Sequence, residues 1–118
     1  MKFRMDLEEH ERECMKELGE PWTHVHVFMD RYAKEYRGFV HRRLLHHRLG
    51  IELAVRAFGE EARMAATLHV QQDLGFVPED WTALEQYSFF LGDEEERQEE
   101  VLRELYGAEV FGEIEGRK

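Results

Sequence analysis

Two stretches of this chain set an imidazole and a carboxylate four residues apart: His26 with Asp30, and His69 with Asp73. On a helix, positions i and i+4 share a face, so each pair presents nitrogen and oxygen donors one turn apart. Between them runs His41-Arg42-Arg43-Leu44-Leu45-His46-His47-Arg48, three imidazoles and three guanidiniums within eight residues. Neutral imidazole with carboxylate suits a divalent transition metal such as zinc, iron, nickel or manganese. The candidate ligands are therefore His26, Asp30, His69 and Asp73, with His46 or His41 as a third imidazole. Each Asp is either a ligand or the outer partner that orients its His. The competing structural explanation is a core of histidines hydrogen-bonded to aspartates, with no ion. Beside a metal, Arg42 and Arg43 would grip an anion, because a guanidinium fork matches phosphate or carboxylate. Hydrolysis of a phosphate-type substrate by a metal-bound water would follow. Without a metal, the same arginines pair with the acids of the chain.

The elements that must position these groups are helices. The apolar spacing predicts an all-α fold, a single compact bundle of five to six helices within one domain, with its core over about residues 4–106. Residues 4–18 read as a first helix stopped by Gly19 and Pro21. Its His10 lies among glutamates and reads as part of a solvated face, and Cys14 reads as a small buried hydrophobe. Thr23 is a plausible N-cap for a second helix reaching Tyr36, with Val25, Met29, Tyr32 and Tyr36 as its apolar stripe. Gly38 breaks or bends the chain before a third helix over 39–58. There His41 and His46 fall about 140° apart on the wheel, and His46 borders the Gly50 side while His41 looks more solvated. His47, on the apolar arc, reads as a satisfied core histidine. Gly50 in mid-helix implies the close approach of another backbone. A fourth helix, about 60–74, carries Ala62, Ala65, Ala66, His69 and Asp73 along one side. Pro78 suits the start of a fifth over 79–91, with Trp81, Leu84, Tyr87 and Phe90 or Leu91 as its aromatic face. Residues 93–106 form an acidic sixth helix, and 107–118 reads as a flexible tail.

The string His26-x-x-x-Asp30, His41-Arg42-x-Leu44-x-His46 running into Gly50-Ile51 and Phe58-Gly59, then His69-Val70-x-x-Asp73-Leu74-Gly75-x-x-Pro78-x-x-Trp81 resembles a family of small bacterial and phage proteins. That family is described only as a domain of unknown function. The resemblance spans roughly residues 24–82 and implies a shared fold and a shared polar cluster, without an activity. Family members tend to carry a longer, strand-like insert between Phe-Gly and the third His, where this chain has a short Ala-rich stretch.

Composition narrows the function. Of 118 residues, 26 are acidic and 16 basic, a formal charge of −10, which disfavours binding to a phosphate backbone. The acidic balance instead suits a basic partner. An alternative function is therefore a non-catalytic, phage-type accessory protein that occupies a basic site through the glutamates near 94–104. The single cysteine, Cys14, makes no intrachain disulfide and suits a reducing cytoplasm. No run approaches the roughly 20 apolar residues of a membrane span, and the first residues lack a signal peptide's apolar stretch; the expected location is cytoplasmic. His-Glu-x-x-His, Glu-x-x-His, a phosphate loop, Gly-x-Ser-x-Gly and Cys-x-x-Cys are all absent.

Overall fold

The computed structural model describes residues 6–36, 40–87 and 94–118. Among these the protein is all-α, with seven α-helices, two short 3-10 turns and no strand. The helices are α1 (Leu7–Leu18), α2 (Thr23–Met29), α3 (Arg42–Leu45), α4 (Arg48–Phe58), α5 (Arg63–Leu74), α6 (Glu95–Tyr106) and α7 (Ala108–Gly116). The 3-10 turns cover Glu60–Ala62 and Trp81–Leu84. Gly38, Phe90 and Leu91, to which the spacing assigns roles, and residue 93, where the acidic sixth helix is expected to begin, lie outside the described residues.

α1 begins where Asp6 accepts a hydrogen bond from the Glu9 amide and ends at Gly19, whose φ of 81° closes the helix. α2 is shorter than its stripe predicts. It ends at Met29, and the chain continues in turns in which Tyr36 N–H donates to Tyr32 O at 2.8 Å. Val25, Met29 and Tyr36 are nonetheless buried, so the stripe finds the core although the helix stops. Thr23 does not cap α2. Its hydroxyl donates to Glu11 of α1, and Trp22 stands at the cap with a left-handed φ of 50°.

The expected helix over 39–58 is two helices. The break falls at His46–His47, because the His47 ring caps α4: its Nδ1 accepts from Gly50 N–H at 3.3 Å and its Nε2 donates to Arg43 O at 3.1 Å. α3 therefore folds back on α4, and the carbonyl of Leu45 lies over Gly50. A Cβ built on Gly50 would stand 1.8 Å from that oxygen. The close approach implied by a mid-helix glycine is there, and the approaching backbone is the end of the preceding helix.

The small-residue face foreseen from the sequence is present, with Ala62 at the N-cap of α5 and Ala65 and Ala66 within it fully buried, and α5 packs against α1, α2 and α4. The stretch expected as a fifth helix is a 3-10 turn capped by Asp80, which accepts from Thr82 N–H at 2.8 Å; Trp81 and Leu84 are buried and Tyr87 is exposed. Residues 108–116, expected as part of a flexible tail, form α7. Its Phe111 stacks on Trp81 at 5.8 Å and Ile114 is buried.

Because the Gly50 position abuts a carbonyl rather than the end of a movable side chain, Gly50→Ala must force α3 and α4 apart. We expect a loss of about 3 kcal/mol, read as a lower urea midpoint with an unchanged slope. An unchanged midpoint would show that the corner yields.

Candidate metal centre

The polar cluster is built mainly at helix ends. Asp30 is the C-cap of α2, His41 the N-cap of α3 and His46 the C-cap of α3, while His69 and Asp73 share one face of α5. His41 and His46 stand at the two ends of α3, and Nε2 of each lies within 3.5 Å of Asp30 Oδ1.

Four donor atoms converge: one each from Asp30, His46, His69 and Asp73, all within 4.8 Å of one another. His46 Nε2 lies 3.0 Å from Asp73 Oδ2 and 3.5 Å from Asp30 Oδ1. His69 Nε2 lies 3.2 Å from Asp30 Oδ1 and 3.6 Å from Asp73 Oδ2. The His46 and His69 rings stand 5.0 Å apart. Their side chains and that of Asp73 are 0–2% exposed, and Asp30 is 28% exposed. These His/Asp groups are able to hold a metal ion.

A second layer surrounds them. His41 Nε2 approaches Asp30 Oδ1 at 3.2 Å. His10 Nε2 lies 3.3 Å from Asp73 Oδ1, and its Nδ1 lies 3.1 Å from Gln72. Arg42 Nε is 3.4 Å from Asp73 Oδ2. His26 does not reach the carboxylates; its Nδ1 meets His69 Nδ1 at 2.9 Å and its Nε2 meets Cys14 Sγ at 3.0 Å.

Of the residues singled out in the sequence, then, Asp30, His46, His69 and Asp73 converge, His41 adjoins them and His26 stands behind His69. His41 is 2% exposed, not solvated. Of the two roles the sequence allows the arginines, pairing with acids of the chain is the one seen: Arg42 with Asp73 and Arg43 with Glu85. Arg43 is engaged by Glu85 and by Gln98 of α6, and both Arg42 and Arg43 are buried, so neither offers its guanidinium to an anion from solvent. Sequence reasoning missed His10 and Cys14, both fully buried on α1. Their spacing of four, the same as in the two His-x-x-x-Asp turns, was the available signal.

Burial works against both carboxylates, yet hydrogen bonds from His41, His46 and His69 hold Asp30 well below the usual carboxylate range. Those from His10 and His46 do the same for Asp73. Burial pushes the His26 imidazole down to about 3, helped by His69 and His10, and pushes His69 down to about 4 against the pull of Asp30. Burial likewise lowers His41, again opposed by Asp30. His46 alone is raised: burial opposes its charge, but Asp30 and Asp73 outweigh it. Burial also pushes the Cys14 thiol up to about 11.

A family model described as "Domain of unknown function (DUF6915)" matches residues 5–89. The chain belongs to this family. The match takes in α1, and so His10 and Cys14, as well as the converging donors. No curated protein and no solved structure matches the chain.

The buried neutral imidazoles make stability depend on pH. His26, His69 and His47, the last also pushed to about 4 by burial, stay neutral in the fold while their unfolded counterparts take up protons below about 6.5. Their contribution is complete above that pH and is lost as pH falls toward 4, by up to about 1.4 kcal/mol per unit for each group. Raised His46 opposes this as a single group. Urea midpoints of chelator-treated protein should therefore fall steadily from pH 7 to pH 4; a flat profile would contradict neutral burial.

Proposed function

We propose that this member of the DUF6915 family holds one divalent transition-metal ion, zinc, iron, nickel or manganese, between His46, His69, Asp30 and Asp73. The observation that carries the reading is the set of four His–Asp edges, 3.0 to 3.6 Å. A tetrahedral ion with bonds of roughly 2.0–2.1 Å has ligand–ligand edges of about 3.3–3.4 Å, so the donors need little movement to receive it. The His46–His69 ring separation of 5.0 Å agrees, since two imidazoles on such an ion have centroids roughly 5 Å apart. Two carboxylates also neutralise the ion's charge, which favours holding it away from water.

Four protein ligands are the pattern of a closed site, whereas a hydrolase keeps a position for water. Here the side that reaches solvent is that of Asp30. With Arg42 and Arg43 engaged inside the protein, a phosphate-type substrate lacks the grip that the sequence suggested. We therefore rank a role in tying α2, α3 and α5 together ahead of hydrolysis. The competing proposal, an acidic accessory protein acting on a basic partner, draws on the exposure of Glu94, Glu95, Glu96 and Glu100.

Protein purified without a histidine tag, in the cytoplasm expected for it, should carry close to one equivalent of metal by elemental analysis. His46→Ala, His69→Ala and Asp73→Asn should each lose it. His24→Ala, which removes an exposed imidazole, and reversal of the α6 glutamates should leave it unchanged. Metal at about 100 times its Kd should add about 2.7 kcal/mol to the stability of the unsubstituted chain. Equal metal content in the His46→Ala and unsubstituted proteins would remove the reading.

A further inference from the structure

His26 is the middle member of a buried file of three side chains, Cys14–His26–His69, that ends at the proposed ion. Cys14 Sγ meets His26 Nε2 at 3.0 Å, His26 Nδ1 meets His69 Nδ1 at 2.9 Å, and His69 Nε2 faces Asp30 and Asp73. All three residues are 0% exposed, so no water can replace a missing partner without entering the core.

A second ion among His10, His26 and His69 is the first alternative, since their nitrogens also lie within 4.8 Å. The ring of His26 stands 5.1 Å from those of His10 and His69, but the His10–His69 pair speaks against one ion shared by all three. His10 stacks on His69 with centroids 3.8 Å apart and planes 21° from parallel. Parallel rings aim their lone pairs side by side, and two imidazoles on one ion stand roughly 5 Å apart. The 2.9 Å separation of His26 and His69 is instead that of an N–H···N hydrogen bond.

Resting on the metal reading above, we infer that His26 is not a ligand but the positioning residue that sets the tautomer of His69, with Cys14 as its terminal acceptor. The hydrogens of the file can run in two orders. In one, Cys14 S–H donates to His26 Nε2, His26 Nδ1–H donates to His69 Nδ1, and His69 Nε2–H donates to Asp30. In the other, His69 Nδ1–H donates to His26 Nδ1 and His26 Nε2–H donates to Cys14 Sγ, which leaves the lone pair of His69 Nε2 for the ion. Only the second order is compatible with ligation through Nε2. A ligating histidine commonly gives its other N–H to a carboxylate or a carbonyl; here the acceptor is an imidazole backed by a thiol. Loading the ion reverses every bond of the file, and Cys14 changes from donor to acceptor.

The experiment titrates the whole chain with cobalt(II), reading its ligand-field bands, and with zinc in competition against a chromophoric chelator. His26→Leu should weaken zinc binding about 10- to 100-fold while leaving the shape and intensity of the saturated cobalt bands unchanged. His26→Asn, which keeps an acceptor near the Nδ1 position, should recover most of the affinity. Cys14→Ala should weaken binding, and Cys14→Ser should restore it, because a hydroxyl oxygen accepts where a methyl cannot. The inference is overturned if His26→Leu binds zinc as tightly as the unsubstituted chain, or if its cobalt bands lose a nitrogen ligand. It is equally overturned if His26→Asn or Cys14→Ser proves no better than its apolar counterpart. Should His26→Leu fail to fold, the Cys14→Ala and Cys14→Ser pair carries the same comparison. If the unsubstituted chain takes up neither ion, the metal reading itself fails and this inference goes with it, an outcome separate from the others.

Discussion

Two carboxylates drawn into the protein, Asp30 and Asp73, impose the constraint that organises this fold. A carboxylate removed from water costs several kcal/mol unless charge and hydrogen bonds are brought to it. The chain meets that demand with imidazoles from three directions and with the Arg42 guanidinium at 3.4 Å from Asp73. His41 through His47 are consequently all buried, although five of those seven side chains are histidine or arginine. The two arginines of this stretch are paired with acids, Arg42 with Asp73 and Arg43 with Glu85.

The geometry follows from where helices stop. His41 and His46 stand at the two ends of α3, and both approach the carboxylate of Asp30. His47 makes the stop by using both ring nitrogens on backbone, one accepting from Gly50 and one donating to Arg43. Gly50 then permits the return path, because its missing side chain leaves room for the Leu45 carbonyl. A local capping event and one absent methyl group thus set how α3 meets α4.

The parts legible from sequence are those carried by periodicity. His26, Asp30, His69 and Asp73 stand out because a spacing of four survives any tertiary arrangement, and the alanine face of α5 is legible for the same reason. The division of the expected 39–58 helix is not, since Leu45-His46-His47-Arg48 contains no glycine or proline and imidazole is not among the favoured N-caps. His10 is hidden by its glutamate neighbours, which describe the outer face of α1 and not the inner one. His26 bonds to His69 and Cys14 rather than to the carboxylates, a choice of partners that spacing alone does not resolve. α7 is obscured by glycines and acids, with Phe111 and Ile114 as its sparse apolar signal.

That last helix bears on what the family's domain is physically. The shared region ends at residue 89, yet Trp81 within it is covered from outside. Phe111 stacks on its ring, Glu115 accepts from its indole N–H at 3.3 Å, and Tyr106 lies against it at 5.4 Å while donating to Leu44 O. A fragment trimmed to the shared boundary would uncover the largest side chain of its interior beside the very helix that supplies His41 and His46. The covering of Trp81 is therefore supplied by a part of the chain that lies beyond the family match.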